Sequence, residues 1–167
     1  MRGATYPGQD PDQGVEACVR QSRRAIARPE TRTLMIDALR PYRRGLGHDD
    51  MNGDTLADSI YRMVRRITFY REPAGPEYPG EVVQSPAVTL TLNGGDCDDI
   101  AVVVATAARI FGCEAMIGWY PTSPSGNQAH IVAAIRPGWY KPGEWVVIDP
   151  QQKKPASPVQ GTRWQRV

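Results

Sequence analysis

Apolar residues recur with helical spacing through the first part of the chain. The first such stretch ends before Pro29, because proline lacks the backbone N–H that a helix needs. A second helix is predicted over residues 30–40, before Pro41, and a third over the amphipathic residues 56–67, with Asp54 or Thr55 as a cap. The stripe of the first helix consists of Val15, Cys18, Val19, Ser22 and Ile26. The pattern therefore predicts three helices in succession.

A loop and a turn separate these helices from a more apolar segment. Residues 67–70 are predicted as a short extended exit, residues 71–86 hold four prolines and predict a long loop, and residues 87–92 are predicted to be extended. Residues 93–95, Asn-Gly-Gly, are a strong turn signal. Residues 97–111 then have helix length, precede a glycine C-cap and are apolar on nearly every side. Such a helix is typical of the centre of a domain.

Alternating segments after this helix predict three strands, at residues 113–120, 129–136 and 144–149. The last two flank a loop rich in proline and glycine, which predicts an antiparallel hairpin. Helices followed by a central buried helix packed on an antiparallel sheet predict an α+β fold. We expect one domain over residues 14–150, a flexible arm before it (residues 1–13) and a Pro-rich basic tail after it (residues 151–167).

Composition and charge are those of an ordinary soluble domain. The 167 residues are 41% hydrophobic and 23% charged, and the net charge of +2 is too small to indicate nucleic acid as a partner. No apolar run reaches the roughly 18 residues of a membrane span, and the polar N-terminus lacks the apolar core of a secretory signal. The three cysteines form no C-x-x-C pair, so neither a disulfide framework nor a structural zinc site is predicted, and no cofactor is expected.

Cys97 occupies a position suited to a nucleophile, at the first turn of the predicted buried helix. Backbone N–H groups and the helix dipole at this end favour a thiolate and can bind an oxyanion. Asp96, Asp98 and Asp99 oppose a thiolate by their charge, unless a neighbouring imidazolium offsets them. Alternatively, Asp98 and Asp99 point away from the sulfur and bind first-turn N–H groups. By itself, a cysteine at a helix start is more often a small buried hydrophobe.

His130 and Asp149 lie on the two strands of the predicted hairpin. If they pair directly, Arg136 pairs with Gly143 and a six-residue turn remains, which is plausible for this loop. An acid beside the histidine would fix its tautomer and stabilise its protonated form. The other histidine, His48, lies in a polar loop and is predicted to be solvated.

Three segments resemble the transglutaminase-like branch of the papain-like cysteine enzymes. The string Gly94-Gly95-Asp96-Cys97-Asp98-Asp99 before an apolar helix resembles the family's nucleophile segment. His130 before an apolar strand resembles its histidine strand, and residues 145–150, Trp-Val-Val-Ile-Asp-Pro, resemble its closing element. The resemblance covers roughly residues 55–150. In one place the sequence departs from the family, because Ile131 and Val132 follow the histidine where an aromatic residue is common.

The resemblance implies a papain-like fold and acyl transfer from an amide through a thioester. Cys97 would be the nucleophile, His130 the base and Asp149 the group that orients it. Gln84, in a segment similar to bacterial and phage members, would donate to the oxyanion, although a polar loop glutamine is the plainer interpretation. Hydrolysis of a peptide or protein amide is expected rather than crosslinking, in the cytoplasm or in association with a virion.

Two other hypotheses remain open from the sequence. One is a catalytically silent interaction module on the same fold, such as a part of a phage particle that contacts neighbouring subunits through its Pro-rich arm and tail. The other is a metal site built from Cys97, His130 and the neighbouring aspartates, whose spacing is unlike that of common zinc motifs.

Overall fold

Helices surround one face of an antiparallel sheet in this protein. The structure is a computed structural model that describes residues 10–43, 53–70, 83–122, 129–136 and 144–167, without the side chains of residues 53–55. The helices are α1 (Pro11–Ile26), α2 (Pro29–Leu39), α3 (Gly53–Val64), α4 (Pro86–Leu92) and α5 (Cys97–Ile110), with a 3₁₀ turn at Arg40–Tyr42. The strands are β1 (Thr68–Phe69), β2 (Gly94–Gly95), β3 (Glu114–Pro121), β4 (Ala129–Arg136), β5 (Val146–Ile148) and β6 (Arg163–Arg166). The α+β prediction is confirmed.

The first three helices lie close to their predicted bounds. Helix α1 begins at Pro11, because the Asp10 side chain accepts a hydrogen bond from the Asp12 N–H at 3.0 Å and caps the helix. Residues 11–13 of the predicted arm therefore belong to α1, and residues 1–9 lie outside the described residues. Of the loop predicted over residues 71–86, residues 71–82 also lie outside them, and Pro86 begins α4.

Helix α4 corrects the prediction that residues 87–92 are extended. Ser85 caps this helix, since its hydroxyl accepts a hydrogen bond from the Val88 N–H, and Pro86 occupies the first helical position. Asn93 ends it in the left-handed conformation, with φ of 49°. The β-branched and apolar residues of this segment favour a strand, but the caps on either side determine its structure.

The main sheet has the strand order β5-β4-β3-β6, with antiparallel pairing throughout. Strand β6 pairs with β3 at Gly118, where a side chain would clash because its Cβ would lie 2.4 Å from the Arg163 carbonyl oxygen. The sheet thus extends past residue 150, where the sequence predicts only a tail. Strands β1 and β2 form a separate parallel pair, with Phe69 opposite Gly95.

Helix α5 forms the centre of the core, as its apolar sequence predicts. Every residue from Cys97 to Ala108 is buried, and the helix contacts α1, α3 and α4 as well as strands β3 and β4. Each fully buried aliphatic side chain of this kind contributes about 1.5–3 kcal/mol. Within the described ranges, none of the helices is both long and apolar enough for a membrane crossing.

One polar cluster joins the two ends of the described chain. Asp12 on α1 accepts hydrogen bonds from Trp119 Nε1 on β3 at 2.7 Å and from Arg163 Nη1 on β6 at 2.9 Å. The Arg163 guanidinium also lies over the Trp119 ring. Hydrogen bonds from both partners lower the pKa of Asp12, with Trp119 the larger cause.

Candidate active site

The turn before α5 contains two glycines, and neither position has room for a side chain. Gly95 has no room for a methyl group, because a Cβ there would lie 2.8 Å from the Asp99 Cβ and 2.9 Å from its Oδ2. A Cβ on Gly94 would lie 2.7 Å from the Tyr70 ring. The two glycines let this turn lie against Asp99 and the Tyr70 ring. Cys97 follows the turn as the first residue of α5.

The aspartates around Cys97 bind backbone N–H groups at this helix start. Asp99 accepts from the Gln84 N–H at 2.7 Å through Oδ1 and from the Asp96 N–H at 3.3 Å through Oδ2. Asp98 Oδ1 accepts from the Asp99 N–H at 2.7 Å. All three carboxylates are 1% exposed. Asp98 therefore satisfies a first-turn N–H, as expected from the sequence, whereas Asp99 binds the N–H groups of the N-cap residue Asp96 and of Gln84.

His130 on β4 and Asp149 after β5 are in direct contact, with 3.0 Å between Nε2 and Oδ2. The predicted register is wrong by two residues, because Ala133 pairs with Ile148 and Ala134 with Val147. The contact survives since side chains repeat every two residues along a strand, so a slip of two keeps them on the same face. Asp149 becomes a diagonal neighbour of His130 rather than a direct partner.

Cys97, His130 and Asp149 line the same cleft. Each of the three is at most 5% exposed. Other residues lining the cleft are Phe69, Ile100, Ala101, Ile131, Val132, Ile148, Pro150 and Gln151. A thiol, an imidazole and a carboxylate from three separate elements therefore share one cavity.

The hydrogen bonds around His130 leave one ring nitrogen available for chemistry. Asp149 occupies the Nε2 side, and its other oxygen accepts from the Gln151 N–H at 2.9 Å, which fixes the carboxylate. His130 Nδ1 is buried and has no hydrogen-bond partner among the described residues. With the proton on Nε2, Nδ1 is a base that can accept a proton from a group in the cleft.

Tyr120 packs against His130, a contact that the sequence does not predict. It stands opposite His130 in the β3–β4 pair, and the two rings meet edge to face with centroids 5.5 Å apart. Burial, chiefly, and the nearby charges of Asp149 and Cys97 raise the pKa of the Tyr120 hydroxyl. The signal in the sequence is the aromatic pair Trp119-Tyr120 at the end of a predicted strand.

The model of the transglutaminase-like superfamily matches residues 42–150, about two thirds of the chain. The chain belongs to this superfamily. The matched segment includes both glycines of the turn, α5, and the strands that carry His130 and Asp149. A search of curated protein sequences finds no match.

Solved structures share the transglutaminase-like fold of this chain at low sequence identity. Legionella pneumophila LapG in its calcium-bound form has a TM-score of 0.56 and 16% identity, over 92% of this chain and 81% of LapG. Another LapG structure gives 0.53 and 16%, over 91% and 78%. A candidate cysteine protease from Cytophaga hutchinsonii gives 0.51 and 14%, over 98% of this chain and half of that protein. At these identities the likeness concerns the fold.

Gln84, the predicted oxyanion donor of this transglutaminase-like chain, lies next to the helix start but is not among the residues that line the cleft. Its backbone N–H binds Asp99, and its Nε2 donates to the Tyr70 hydroxyl at 2.6 Å. Its role as a donor stays a prediction. His48 lies outside the described residues.

The acidic cluster at the helix start has the donor atoms of a metal site. Asp96, Asp98 and Asp99 each offer a carboxylate oxygen, and these oxygens lie within 4.8 Å of one another. Carboxylate oxygens suit hard cations such as Ca²⁺ and Mg²⁺. The hydrogen bonds from backbone N–H groups explain part of this clustering without an ion. This cluster of three aspartates differs from the metal site considered from the sequence, which also included Cys97 and His130.

Proposed function

We propose that this protein is a thiol-dependent hydrolase of peptide or protein amides, with Cys97 as nucleophile, His130 as general base and Asp149 as the residue that orients it. The observation that carries the proposal is the shared cleft, which is lined both by a cysteine at a helix N-terminus and by His130, whose Nδ1 has no hydrogen-bond partner among the described residues. Helix N-termini stabilise thiolates, and a histidine held by a carboxylate is a suitable base.

The proposed reaction has two steps that share one proton carrier. In the first, His130 accepts the Cys97 proton, the sulfur attacks the amide carbonyl, and the departing amine takes that proton from His130 as the thioester forms. In the second, His130 deprotonates a water molecule, which attacks the thioester and releases a carboxylic acid and the thiol. The oxyanion would be stabilised by N–H groups at the start of α5. Gln84 would assist once its amide leaves the Tyr70 hydroxyl.

Hydrolysis rather than crosslinking is proposed for this site. The fold neighbour described as a candidate cysteine protease supports this choice, as does the apolar lining of the cleft, which offers no acidic group besides Asp149 to attract an amine among the described residues. Release of a free carboxylate from a peptide, without incorporation of an added primary amine, is the expected result.

Competition among the three cysteines tests the proposal. Cys18 is fully buried, and burial raises the pKa of Cys113 to about 11, so both thiols should resist iodoacetamide at pH 7.5. Cys97 should be alkylated first, and His130→Ala should slow its alkylation at least tenfold. Equal rates at the three cysteines would refute the proposal. Parallel assays with calcium and with EGTA would detect any metal dependence.

A catalytically silent module, such as a structural part of a virion, makes the opposite prediction. In that case Cys97 would react no faster than an ordinary buried thiol, and His130→Ala would leave its rate unchanged. The same experiment therefore separates the two functions.

A further inference from the structure

The walls of the cleft are apolar around the three proposed catalytic groups. Among its described lining residues, the ionisable side chains are Cys97, His130 and Asp149, and the last two bind each other. The rest of the described wall is hydrocarbon apart from Gln151. Such a wall offers no charged partner for an acidic or basic substrate side chain, and it favours an apolar one.

Phe69 differs from the other residues of this wall because it is exposed. Its exposed fraction is 39%, whereas Ile100 and Ile131 are at most 6% exposed. Five large hydrophobic residues are exposed in the described part of the chain, and Phe69 is the one that lines the cleft. A substrate that covers this apolar ring removes it from water, and this burial stabilises the complex.

The backbone holds Phe69 at a fixed place relative to Cys97. Thr68 donates its N–H to the Asn93 carbonyl at 2.9 Å, and Tyr70 donates to the Gly95 carbonyl at 3.2 Å. Phe69 thus lies opposite Gly95, two residues before Cys97. Because both neighbours of Phe69 are bonded to the turn that carries the cysteine, the backbone at Phe69 has a defined position relative to Cys97.

We infer that Phe69 is a specificity-determining residue, which binds an apolar side chain of the substrate close to the scissile amide; this inference rests on the proposed function of the cleft. The expected substrates are peptides with a large apolar residue within a few positions of the cleaved bond. Peptides with a serine at the same position bind more weakly, because they leave the ring exposed to water.

Peptide binding to a Cys97→Ala protein tests the inference without requiring cleavage. The probes are fluorescein-labelled heptapeptides of glycine and alanine in which one Phe is moved along the chain, with matched peptides that carry Ser at each position. Fluorescence anisotropy should show that Phe at one position binds about tenfold more tightly than Ser. Adding Phe69→Ala should abolish this ratio, and adding Phe69→Leu should keep most of it.

Leu92→Ala is the matched control, since Leu92 is an exposed apolar residue that does not line the cleft. It should leave the Phe/Ser ratio unchanged, and circular dichroism should show that all variants are folded. Equal binding of Phe and Ser peptides, or a ratio that survives Phe69→Ala, would overturn the inference. A clear ratio together with an unreactive Cys97 in the otherwise wild-type chain would instead reject the proposed hydrolase and keep the binding subsite.

Discussion

Replacing Asp149 with asparagine tests the His130–Asp149 contact with almost no change in shape. Asp149 is 3% exposed, and its two oxygens meet His130 Nε2 at 3.0 Å and the Gln151 N–H at 2.9 Å. A carboxylate can accept from both nitrogens, whereas asparagine has one acceptor oxygen and one NH₂ donor. The variant therefore cannot accept hydrogen bonds from both nitrogens, as the carboxylate does.

Either orientation of the asparagine amide harms the proposed base. If its oxygen stays on Gln151, the NH₂ faces Nε2 of His130 and moves the ring proton to Nδ1, where it blocks proton transfer from Cys97. If the oxygen faces His130, the part-buried Gln151 N–H loses its acceptor, and the imidazolium loses a charged partner. A hydrogen bond to a charged group contributes about 1.5–3 kcal/mol, so alkylation of Cys97 should slow by about 10- to 150-fold.

The assay is the second-order rate constant for iodoacetamide at Cys97, followed by peptide mass spectrometry between pH 6 and 9. Asp12→Asn is the matched control, because Asp12 also accepts two N–H groups but belongs to the cluster with Trp119 and Arg163. It should react at the wild-type rate. A wild-type rate for Asp149→Asn would contradict the reasoning, as would an equal decrease in both variants.

Three further predictions follow from the packing and the charges. Gly95→Ala should lower the free energy of unfolding by about 2–4 kcal/mol in urea denaturation, because its Cβ would lie 2.8 Å from Asp99 and displace that acceptor; a loss below 0.5 kcal/mol would contradict it. Cys113 should resist iodoacetamide until the pH approaches its raised pKa of about 11, and modification of the folded protein at pH 8 would refute this. Because the pKa of Asp12 is lowered by folding, its contribution is present above about pH 4 and lost as the pH falls. Asp12→Asn should therefore lower Tm by a few degrees at pH 7, and this difference should shrink toward pH 2.

The sequence was sufficient where one strong pattern determined the structure. The apolar run after Cys97 has no polar face, so only a buried helix satisfies it, and α5 lies at the centre of the core. The pairing of His130 with Asp149 needed only their parity within a hairpin, which a shift of two residues preserves. The helix and the contact were both predictable without the exact register.

Other features depended on contacts between distant residues and could not be predicted. Strand β6 reads as a basic tail, and it joins the sheet because Gly118 on β3 lets its backbone approach closely. The strand register depends on the loop between β4 and β5, whose sequence permits several lengths of turn. The edge-to-face contact of Tyr120 with His130 follows from the β3–β4 register, which spacing alone did not determine.

Asp98 and Asp99, whose negative charges oppose a thiolate at Cys97, bind backbone N–H groups around the start of α5. Asp99 binds the N–H groups of Gln84 and Asp96, so one carboxylate ties the segment before α4 to the turn before Cys97. The same carboxylate fills the space that a side chain at Gly95 would need. Gly95 and Asp99 are therefore packed together on either side of the cysteine. Their spacing is required by the turn itself, whatever reaction the sulfur performs.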